Sequence, residues 1–310
     1  MTSSPSSLMS LERRNAMTNF KIKKPVLSIY MPVFNATPYL SQAIESVLNQ
    51  TLTNFEFIII DDHSTDDSWK IIKSYARRDS RIRIFRNRLN LGVSTTSNIA
   101  ISLARCKYLA RMDADDISTP DRLEKQYKYL KSNPNTIVVG GQCTIIDEEN
   151  RVIGFKKFPT NTSDINDMLF WAVPIQQGYL MVNRSLLPKN YLWYSASKTS
   201  AEEVDLYFQL SQSGRLANLK DNLYFYRQVD NSLSRQNPKN TFYLTLQSRL
   251  TALNNGFKPS LKAILINFAE IIVISILPSS LIYSLWYFIR GINRNRLNTK
   301  LALPSPAKYN

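Results

Sequence analysis

The 310-residue chain is long enough to bury a sizeable core, and a composition of 44% hydrophobic and 11% aromatic residues excludes a wholly disordered protein. Its formal net charge of +15 favours polyanionic partners, and nucleic acid, anionic lipid and phosphorylated small molecules all qualify. The two cysteines, Cys106 and Cys143, form neither a C-x-x-C pair nor a dense framework, which disfavours structural zinc and indicates a reducing compartment.

The first half of the chain follows an alternating pattern after a Ser-rich and then basic stretch over 1–24, which we expect to be a disordered tail. Apolar runs typical of strands alternate with segments of helical periodicity. We expect Ser64 or Thr65 to cap the second helix. The order predicts a mostly parallel sheet covered by helices. The predicted strands cover 26–33, 55–61, 81–87 and 107–113, and the predicted helices cover 38–50, 64–78, 90–104 and a segment starting at 119–120.

The second half is less regular. Residues 136–158 resemble a pair of strands that turns at 148–150, and residues 201–213 form a helical pattern that Gly214 ends. Residues 216–227 are typical of a closing strand.

Polar side chains follow the strands of the predicted sheet. Ligands of such sheets bind outside the carboxyl ends of the strands, so these residues should lie along one edge. They are Asn35 after the first strand, Asp61 and Asp62 after the second, Asn87, Asn90 and Gly92 after the third, and Asp113 and Asp115 after the fourth.

The run MDADD at 112–116 is the most informative of these stretches. Acidic residues are favoured just before the start of a helix, which explains Asp121 and fits Asp116. This preference does not explain Asp113 and Asp115. Because these two alternate along an extended segment, their carboxylates can reach one ion. Carboxylate oxygens favour hard cations, so the pair predicts Mg²⁺ or Mn²⁺ with substrate phosphates as further ligands.

Residues 263–289 form the most apolar stretch, and the basic tail that follows carries no acid. The run is long enough to span a bilayer, yet Asn267 and Glu270 are costly in lipid and Pro278 divides it. An interfacial or re-entrant anchor, one kinked span, and a core or dimer helix all remain open. Either membrane interpretation places the basic tail on the cytoplasmic side.

Four blocks resemble the family 2 glycosyltransferases with the GT-A fold, in the order of that family. They are LSIYMPVFNATPYLSQAIESVLNQT, FEFIIIDDHSTDDS, NLGVSTTSNIAI and YLARMDADDISTPDRLEKQ. Further on, AEEVDLYFQL looks like the acidic catalytic motif of the family, and YRQVDNSLS resembles its closing Tyr-Arg segment. The resemblance covers roughly 200 residues and implies a Rossmann-like, mostly parallel α/β sheet flanked by helices, followed here by a hydrophobic, amphipathic C-terminal helical segment.

The resemblance implies a donor site for a nucleotide sugar, with UDP-sugar the first expectation. Asp115 would be the metal ligand, and Asp113 would contact the ribose or share the metal. Asp62 would accept a hydrogen bond from the base ring. The other implied donor-binding residues are Pro32, Val33 and Asn35 around the base and ribose, Asn90, and Arg227 at the diphosphate.

The implied catalytic base lies in the pair Glu202 and Glu203, where the family usually has Glu-Asp. Glu203 aligns with the base, and Glu202 is the second candidate. The chain also departs from the family at His63, where Gly is frequent, and at Val229, where His is frequent. His63 is therefore expected to be a loop residue.

The resemblance implies an inverting, metal-dependent glycosyltransferase that works on a glycan or lipid-linked acceptor at the cytoplasmic face of the cell membrane, in surface-polysaccharide synthesis. The alternative is a catalytically inactive member that binds nucleotide or membrane as a scaffold. Nucleic-acid binding is disfavoured because the positive charges are dispersed.

The expected organisation begins with a glycosyltransferase domain over 25–235, which has a donor half over 25–130 and an acceptor half over 131–235. A membrane-associated helical segment over 236–290 and a basic tail over 291–310 follow.

Overall fold

Strands and helices alternate through the first half of the protein, as the apolar pattern predicts. The computed structural model describes residues 24–195, 202–229, 238–279 and 281–282, so the predicted tail at 291–310 and all but the last residue of the predicted tail at 1–24 lie outside the described residues. The elements of this half are β1 (Leu27–Val33), α1 (Thr37–Leu48), β2 (Phe55–Asp61), α2 (Ser68–Arg78), β3 (Ile82–Arg86), α3 (Val93–Leu103), β4 (Tyr108–Arg111), β5 (Ile117–Ser118) and α4 (Arg122–Ser132).

The second half contributes four more strands and four helices to the described structure, with two short 3₁₀ turns at Gln177–Tyr179 and Arg184–Leu186. The predicted strand pair at 136–158 and the predicted helix at 201–213 are both confirmed. The elements are β6 (Thr136–Ile146), β7 (Val152–Lys156), α5 (Thr162–Leu169), β8 (Met181–Asn183), α6 (Glu202–Ser213), β9 (Arg215–Arg227), α7 (Pro238–Asn254) and α8 (Leu261–Ile276).

Nine strands of the described chain form one mixed sheet in the order β3-β2-β1-β4-β8-β6-β9-β5, with β7 paired to β6. The first four positions, β3 to β4, are parallel, and β9 is parallel to β6. Strand β8 is antiparallel to both neighbours, and β5 is antiparallel to β9. The carboxyl ends of β1 to β4 therefore lie along one edge, which is where the predicted site residues follow the strands.

Helices cover both faces of the sheet, and this explains why β2 is apolar at nearly every position. Successive side chains of a strand point to opposite faces, and each face here is buried. Ile59 packs into a core with Met31 and Leu40 on one face, whereas Ile58 packs into a second core on the other face. A sheet buried on both sides gives the continuous hydrophobic run FEFIIID.

The expected cap of the second helix was wrong. Helix α2 begins at Ser68, and neither Ser64 nor Thr65 caps it. Asp66 accepts hydrogen bonds from the backbone N–H groups of Ser68 and Thr37, each over 3.0 Å. Burial opposes ionisation of Asp66, but the hydrogen bonds from Ser68 and Thr37 outweigh it and lower the pKa of the carboxyl to about 2.

None of the helices in the described residues is both long and apolar enough to cross a membrane. Helix α8 takes up most of the apolar stretch up to Pro278, and its backbone becomes extended at Leu277. The rest of the predicted helical segment beyond 282 lies outside the described part of the chain.

Candidate active site

Asn35 links the loops that follow β1 and β2. Its backbone adopts φ 48°, a left-handed conformation that asparagine tolerates better than most residues. Its N–H donates to Ser64 Oγ over 3.0 Å, and its Oδ1 accepts from the N–H of Thr65 over 2.9 Å. Of the residues predicted with it, Pro32 is partly buried and Val33 is fully buried beneath this loop.

Asp62 organises the loop between β3 and α3. Its Oδ1 accepts hydrogen bonds from Asn87 Nδ2 over 2.7 Å and from the N–H of Leu91 over 2.9 Å, and its Oδ2 accepts from the N–H of Gly92 over 2.9 Å. Asn90 is exposed, and its Oδ1 lies 3.1 Å from the same Gly92 nitrogen. The structure thus brings Asp62 and Asn90 together, and the predicted contact of Asp62 with a base stays a prediction.

The neighbouring Asp61 makes its contacts inside the protein. It is fully buried, its Oδ2 pairs with Arg86 Nε over 2.8 Å, and it accepts from the N–H of Ser64 over 3.3 Å. His63, with φ 63°, is an exposed residue of the same loop. The predicted loop placement of His63 is therefore confirmed.

The first carboxylate of the acidic motif, Asp113, is held by a buried arginine. Arg111 Nε donates to Asp113 Oδ1 over 2.8 Å, and the side chain of Arg111 is only 4% exposed against 27% for Asp113. Arg111 Nη1 also donates to Tyr194 Oη over 3.3 Å, and that hydroxyl lies 3.0 Å from Tyr30 Oη. Sequence analysis missed Arg111 because one basic residue in an apolar strand carries no motif.

The other two carboxylates lie in a crowded, poorly solvated turn. Burial and the charge of Asp113 raise the pKa of Asp115 to about 6. Asp116 is 1% exposed; its Oδ1 accepts from the N–H of Arg227 over 2.6 Å, and its Oδ2 has no hydrogen-bond partner. Burial, together with the charges of Asp115 and Asp113, raises the pKa of Asp116. The turn concentrates negative charge that a cation would stabilise.

The donor set of this turn fits a hard divalent cation. Within the described ranges, no three or more His, Cys, Asp or Glu side chains are grouped so that they could hold a metal ion. Asp113 and Asp115 offer carboxylate oxygens, the ligand type that Mg²⁺ and Mn²⁺ prefer. Magnesium-type sites with one or two carboxylates usually obtain their remaining ligands from substrate phosphate and water.

Arg227 supports this turn from β9. Its Nε donates to the backbone oxygen of Asp115 over 2.7 Å, its Nη1 to the backbone oxygen of Asp147 over 3.0 Å, and its Nη2 to Gln42 Oε1 over 3.0 Å. Its guanidinium also lies 4.4 Å from the centre of the Tyr39 ring. Arg227 therefore positions Asp115, and its predicted contact with a donor diphosphate stays a prediction.

A second arginine that sequence analysis missed lies beneath the turn. Arg122 is completely buried at the start of α4; its Nη2 donates to the backbone oxygen of Arg111 over 2.5 Å and its Nη1 to Ser118 Oγ over 2.7 Å. Burial lowers the pKa of Arg122 to about 10. It forms no ion pair with a carboxylate of the described residues, and its positive charge interacts with both Asp113 and Asp116 of the acidic turn.

Glu203 lies in the first turn of α6 and is partly buried. Burial raises the pKa of Tyr207, and the nearby Tyr194, Glu203 and Asp113 add to that rise. Glu203, the candidate base, and Asp113, the first carboxylate of the acidic motif, thus both act electrostatically on Tyr207. The Tyr207 hydroxyl is buried without a hydrogen-bond partner. Glu202 is the first residue of α6, and its side chain lies outside the described structure.

The sequence resembles known transferases over most of its length. The family model described as "Glycosyl transferase family 2" matches residues 28–189. A protein of Haemophilus influenzae named "Uncharacterized glycosyltransferase" is 31% identical over 218 residues, which is 68% of this chain and 68% of that protein.

Two solved structures share the fold at low sequence identity. Residues 1–349 of Staphylococcus aureus TarS, solved in complex with UDP, superpose with a TM-score of 0.64 at 18% identity, covering 85% of this chain and 75% of that one. The mannosyltransferase PcManGT of Pyrobaculum calidifontis, solved with GDP-Man and Mn²⁺, superposes with a TM-score of 0.56 at 14% identity, covering 92% of this chain and 91% of that one. The mixed sheet with its flanking helices is thus the GT-A fold.

Proposed function

Because the chain belongs to glycosyl transferase family 2, we propose that it transfers a sugar, with inversion at the anomeric carbon, from a UDP-sugar to a hydroxyl of a glycan or lipid-linked acceptor. The observation that carries the proposal is the acidic turn after β4, in which Arg111 Nε holds Asp113 over 2.8 Å and Asp115 lies two residues further on; Asp113 and Glu203 both act electrostatically on the buried Tyr207. A donor-binding carboxylate and a base must both lie near the reacting carbon. UDP in TarS, and GDP-Man with Mn²⁺ in PcManGT, support a nucleotide-sugar donor and a metal.

In the proposed reaction the Glu203 carboxylate takes the proton of the acceptor hydroxyl as its oxygen attacks the anomeric carbon. The bond between that carbon and the donor phosphate breaks, and its electron pair leaves with the nucleoside diphosphate. Attack from the face opposite the leaving group inverts the configuration. Asp62 and Asn35 would hold the nucleoside end of the donor at the neighbouring strand ends.

Asp115 and Asp113 would hold Mn²⁺ or Mg²⁺, which when bound neutralises charge that develops on the leaving diphosphate. Arg227 keeps the Asp115 backbone in place through its 2.7 Å hydrogen bond. Arg111 orients Asp113 through the 2.8 Å contact with Oδ1. Metal dependence is accordingly part of the proposal.

The setting that we propose is surface-polysaccharide synthesis at the cytoplasmic face of the membrane. A chain with a net charge of +15 is attracted to anionic lipid, and the exposed apolar residues of α8 support contact with a bilayer. A lipid-linked acceptor would be presented at that surface.

The experiment that tests the proposed function is calorimetric titration of the purified chain with UDP-, GDP- and dTDP-sugars, with and without Mn²⁺, followed by an assay for release of free nucleotide. We expect one nucleotide class to bind in a metal-dependent manner and to be hydrolysed slowly in the absence of acceptor. Binding without hydrolysis or transfer would favour the scaffold alternative, and no binding of any donor would refute the proposal.

A further inference from the structure

Helix α8 packs on the protein with Asn267 and Glu270 turned inward and most of its apolar side chains turned towards solvent. Asn267 is 5% exposed, and its Nδ2 donates to the backbone oxygen of Phe170 over 3.0 Å. Glu270 pairs over 2.9 Å with Arg249 of α7, whose side chain is 3% exposed. These two polar residues would break an apolar surface if they faced outward, and the fold turns both of them inward.

The outward side of α8 is a mostly apolar stripe, interrupted by the exposed Ser275 near its carboxyl end. A surface helix of a globular protein normally has the opposite arrangement. The stripe follows the i, i+3, i+4 spacing of one helix face, and its residues run from one end of the helix to the other. They are Leu261 (72% exposed), Ile264 (44%), Leu265 (60%), Phe268 (61%), Ile272 (44%), Val273 (36%) and Ile276 (75%).

The charge of this part of the chain indicates what covers the stripe. Residues 238–310 contain nine Lys and Arg against one acid, and that acid, Glu270, is already paired with Arg249. Lys258 and Lys262 are exposed at the start of α8. An apolar stripe that begins beside exposed lysines fits a bilayer with anionic headgroups, because acyl chains accept the stripe while the headgroups attract the cations.

The length of the helix indicates how it meets that bilayer. Sixteen residues of α-helix extend about 24 Å, which is short of a hydrocarbon core about 30 Å thick. The inward side of α8 also packs against α5, and α5 packs against α6, the helix that carries Glu203. A helix with one side fixed to the folded domain can offer only its other side to lipid.

We propose that α8 is an interfacial membrane-docking helix, which lies in the plane of an anionic bilayer with its apolar stripe in the acyl region. This inference rests on the membrane setting of the proposed function and names the element and the orientation that carry it, but it does not require transferase activity. Docking through α8 would hold the transferase domain at the surface on which a lipid-linked acceptor is presented.

The test uses co-sedimentation of the full-length chain with vesicles of phosphatidylcholine alone and with vesicles that also contain phosphatidylglycerol. The test variant is Leu265→Ser, Phe268→Ser and Ile272→Ser together, all at exposed positions. The matched control is Phe155→Ser with Leu192→Ser, which removes apolar side chains that are 52% and 70% exposed elsewhere on the surface. Circular dichroism establishes that each variant is folded. Donor calorimetry measures donor binding by each variant, so that a failure of membrane binding is distinguished from a failure of the proposed function.

We expect the wild-type chain and the control to bind the anionic vesicles, more weakly at high salt, and the triple variant to bind roughly tenfold less tightly or worse. Equal binding by the triple variant, or no binding by the wild type, would overturn the proposal. A wild-type dimer that the triple variant dissociates, seen by analytical ultracentrifugation without vesicle binding, would overturn it in favour of a second copy of the chain as the partner.

Discussion

Arg111 donates from Nε to Asp113 Oδ1 over 2.8 Å, so the first carboxylate of the acidic motif has a cationic partner inside the protein. Asp115 forms no ion pair with any described residue. The two carboxylates of the D-x-D pattern therefore differ in their surroundings: Arg111 orients Asp113 by an ion pair, whereas Asp115 lacks such a partner among the described residues.

The first prediction concerns this pair. Arg111→Met and Asp113→Asn should each weaken donor binding, and the double variant should lose less than the sum, because the two side chains act as one unit. We expect a coupling free energy of about 0.5–3 kcal/mol in a double-mutant cycle measured by donor calorimetry. Arg105→Met removes an arginine whose side chain is 67% exposed and serves as the control. Additive losses would show that Arg111 does not act through Asp113.

The second prediction concerns the metal. Asp115→Asn removes the charge that a divalent cation would bind, so the enhancement of donor binding by Mn²⁺ should fall by roughly tenfold or more. Asp121→Asn is the matched control, because Asp121 lies nearby, is 42% exposed and pairs with Lys125 over 2.8 Å. Calorimetry with and without Mn²⁺ checks this independently of turnover. An unchanged response of Asp115→Asn to Mn²⁺ would exclude Asp115 as a ligand.

The third prediction separates the two glutamates of α6. Glu203→Gln should slow transfer roughly 10²- to 10⁴-fold while donor affinity is retained, because an amide cannot accept the acceptor proton. Glu202→Gln should leave the rate within a few-fold of wild type. Glu203→Asp should keep measurable activity, since it restores the Glu-Asp pair typical of the family. If Glu202→Gln is the slower variant, the base is Glu202.

The fourth prediction concerns acid stability at the amino-terminal end of the sheet. Glu56 is 5% exposed, and it accepts from Ser28 Oγ over 2.6 Å and from the N–H of Arg105 over 2.7 Å, with Arg83 Nη1 at 2.6 Å. Burial opposes ionisation, but these hydrogen bonds and the charge of Arg83 outweigh it and lower the pKa of Glu56. A lowered pKa adds stability above the ordinary carboxyl pKa of about 4.3, and this stability is lost as the pH falls through the lowered pKa.

Glu56→Gln should therefore reduce the free energy of unfolding by about 1.5–3 kcal/mol at neutral pH. The difference from wild type should shrink as the pH falls below about 4. Urea unfolding at several pH values measures both. Glu149→Gln, at a side chain that is 61% exposed, should change stability little at any pH. A Glu56→Gln deficit that stays constant down to the acid range would contradict the assignment of the lowered pKa.

The fifth prediction compares two buried tyrosines. The Tyr207 hydroxyl has no hydrogen-bond partner, whereas Tyr179 Oη donates to the backbone oxygen of Gly141 over 2.7 Å. Tyr207→Phe should be neutral or stabilising by up to about 1 kcal/mol, because it removes a buried polar group without leaving an unpaired one. Tyr179→Phe should cost about 1–3 kcal/mol, because the Gly141 oxygen loses its donor. Equal losses in thermal unfolding would contradict this contrast.

The order of the main elements in the first half and the strand ends that carry the candidate site could be predicted from the sequence. Apolar periodicity located β1 to β4 and their helices, because burial on both faces of a parallel sheet produces continuous hydrophobic strands. The placement of Asn35, Asp62 and Asp113 at strand ends followed from topology, since parallel strands end at one edge of the sheet. A capping pattern at Ser64 and Thr65 was misleading, because Asp66 offered backbone N–H groups a stronger acceptor.

The contacts of the arginines around the acidic turn could not be predicted, and Arg111 and Arg122 were not singled out at all. No short-range sequence pattern relates the three arginines. Arg111 ends β4, Arg122 begins α4, and Arg227 is the last residue of β9, which is distant in sequence. The role of each arginine is evident from the atoms that its guanidinium contacts. These contacts form only when β4, α4 and β9 pack together. Buried arginines are tolerated because backbone and side-chain oxygens satisfy their donors.

The sequence by itself determined the fold class, the strand ends that carry the site, and the acidic motif, because these follow from periodicity and from residue chemistry along the chain. Only the tertiary structure decided which carboxylate of that motif is already neutralised and which way α8 faces. Both depend on contacts between distant segments: Arg111, which pairs with Asp113, also contacts Tyr194, and Glu270 of α8 pairs with Arg249 of α7. A hydropathy pattern shows that α8 is apolar, but the packing of its polar residues against the domain decides that its apolar side is the exposed one.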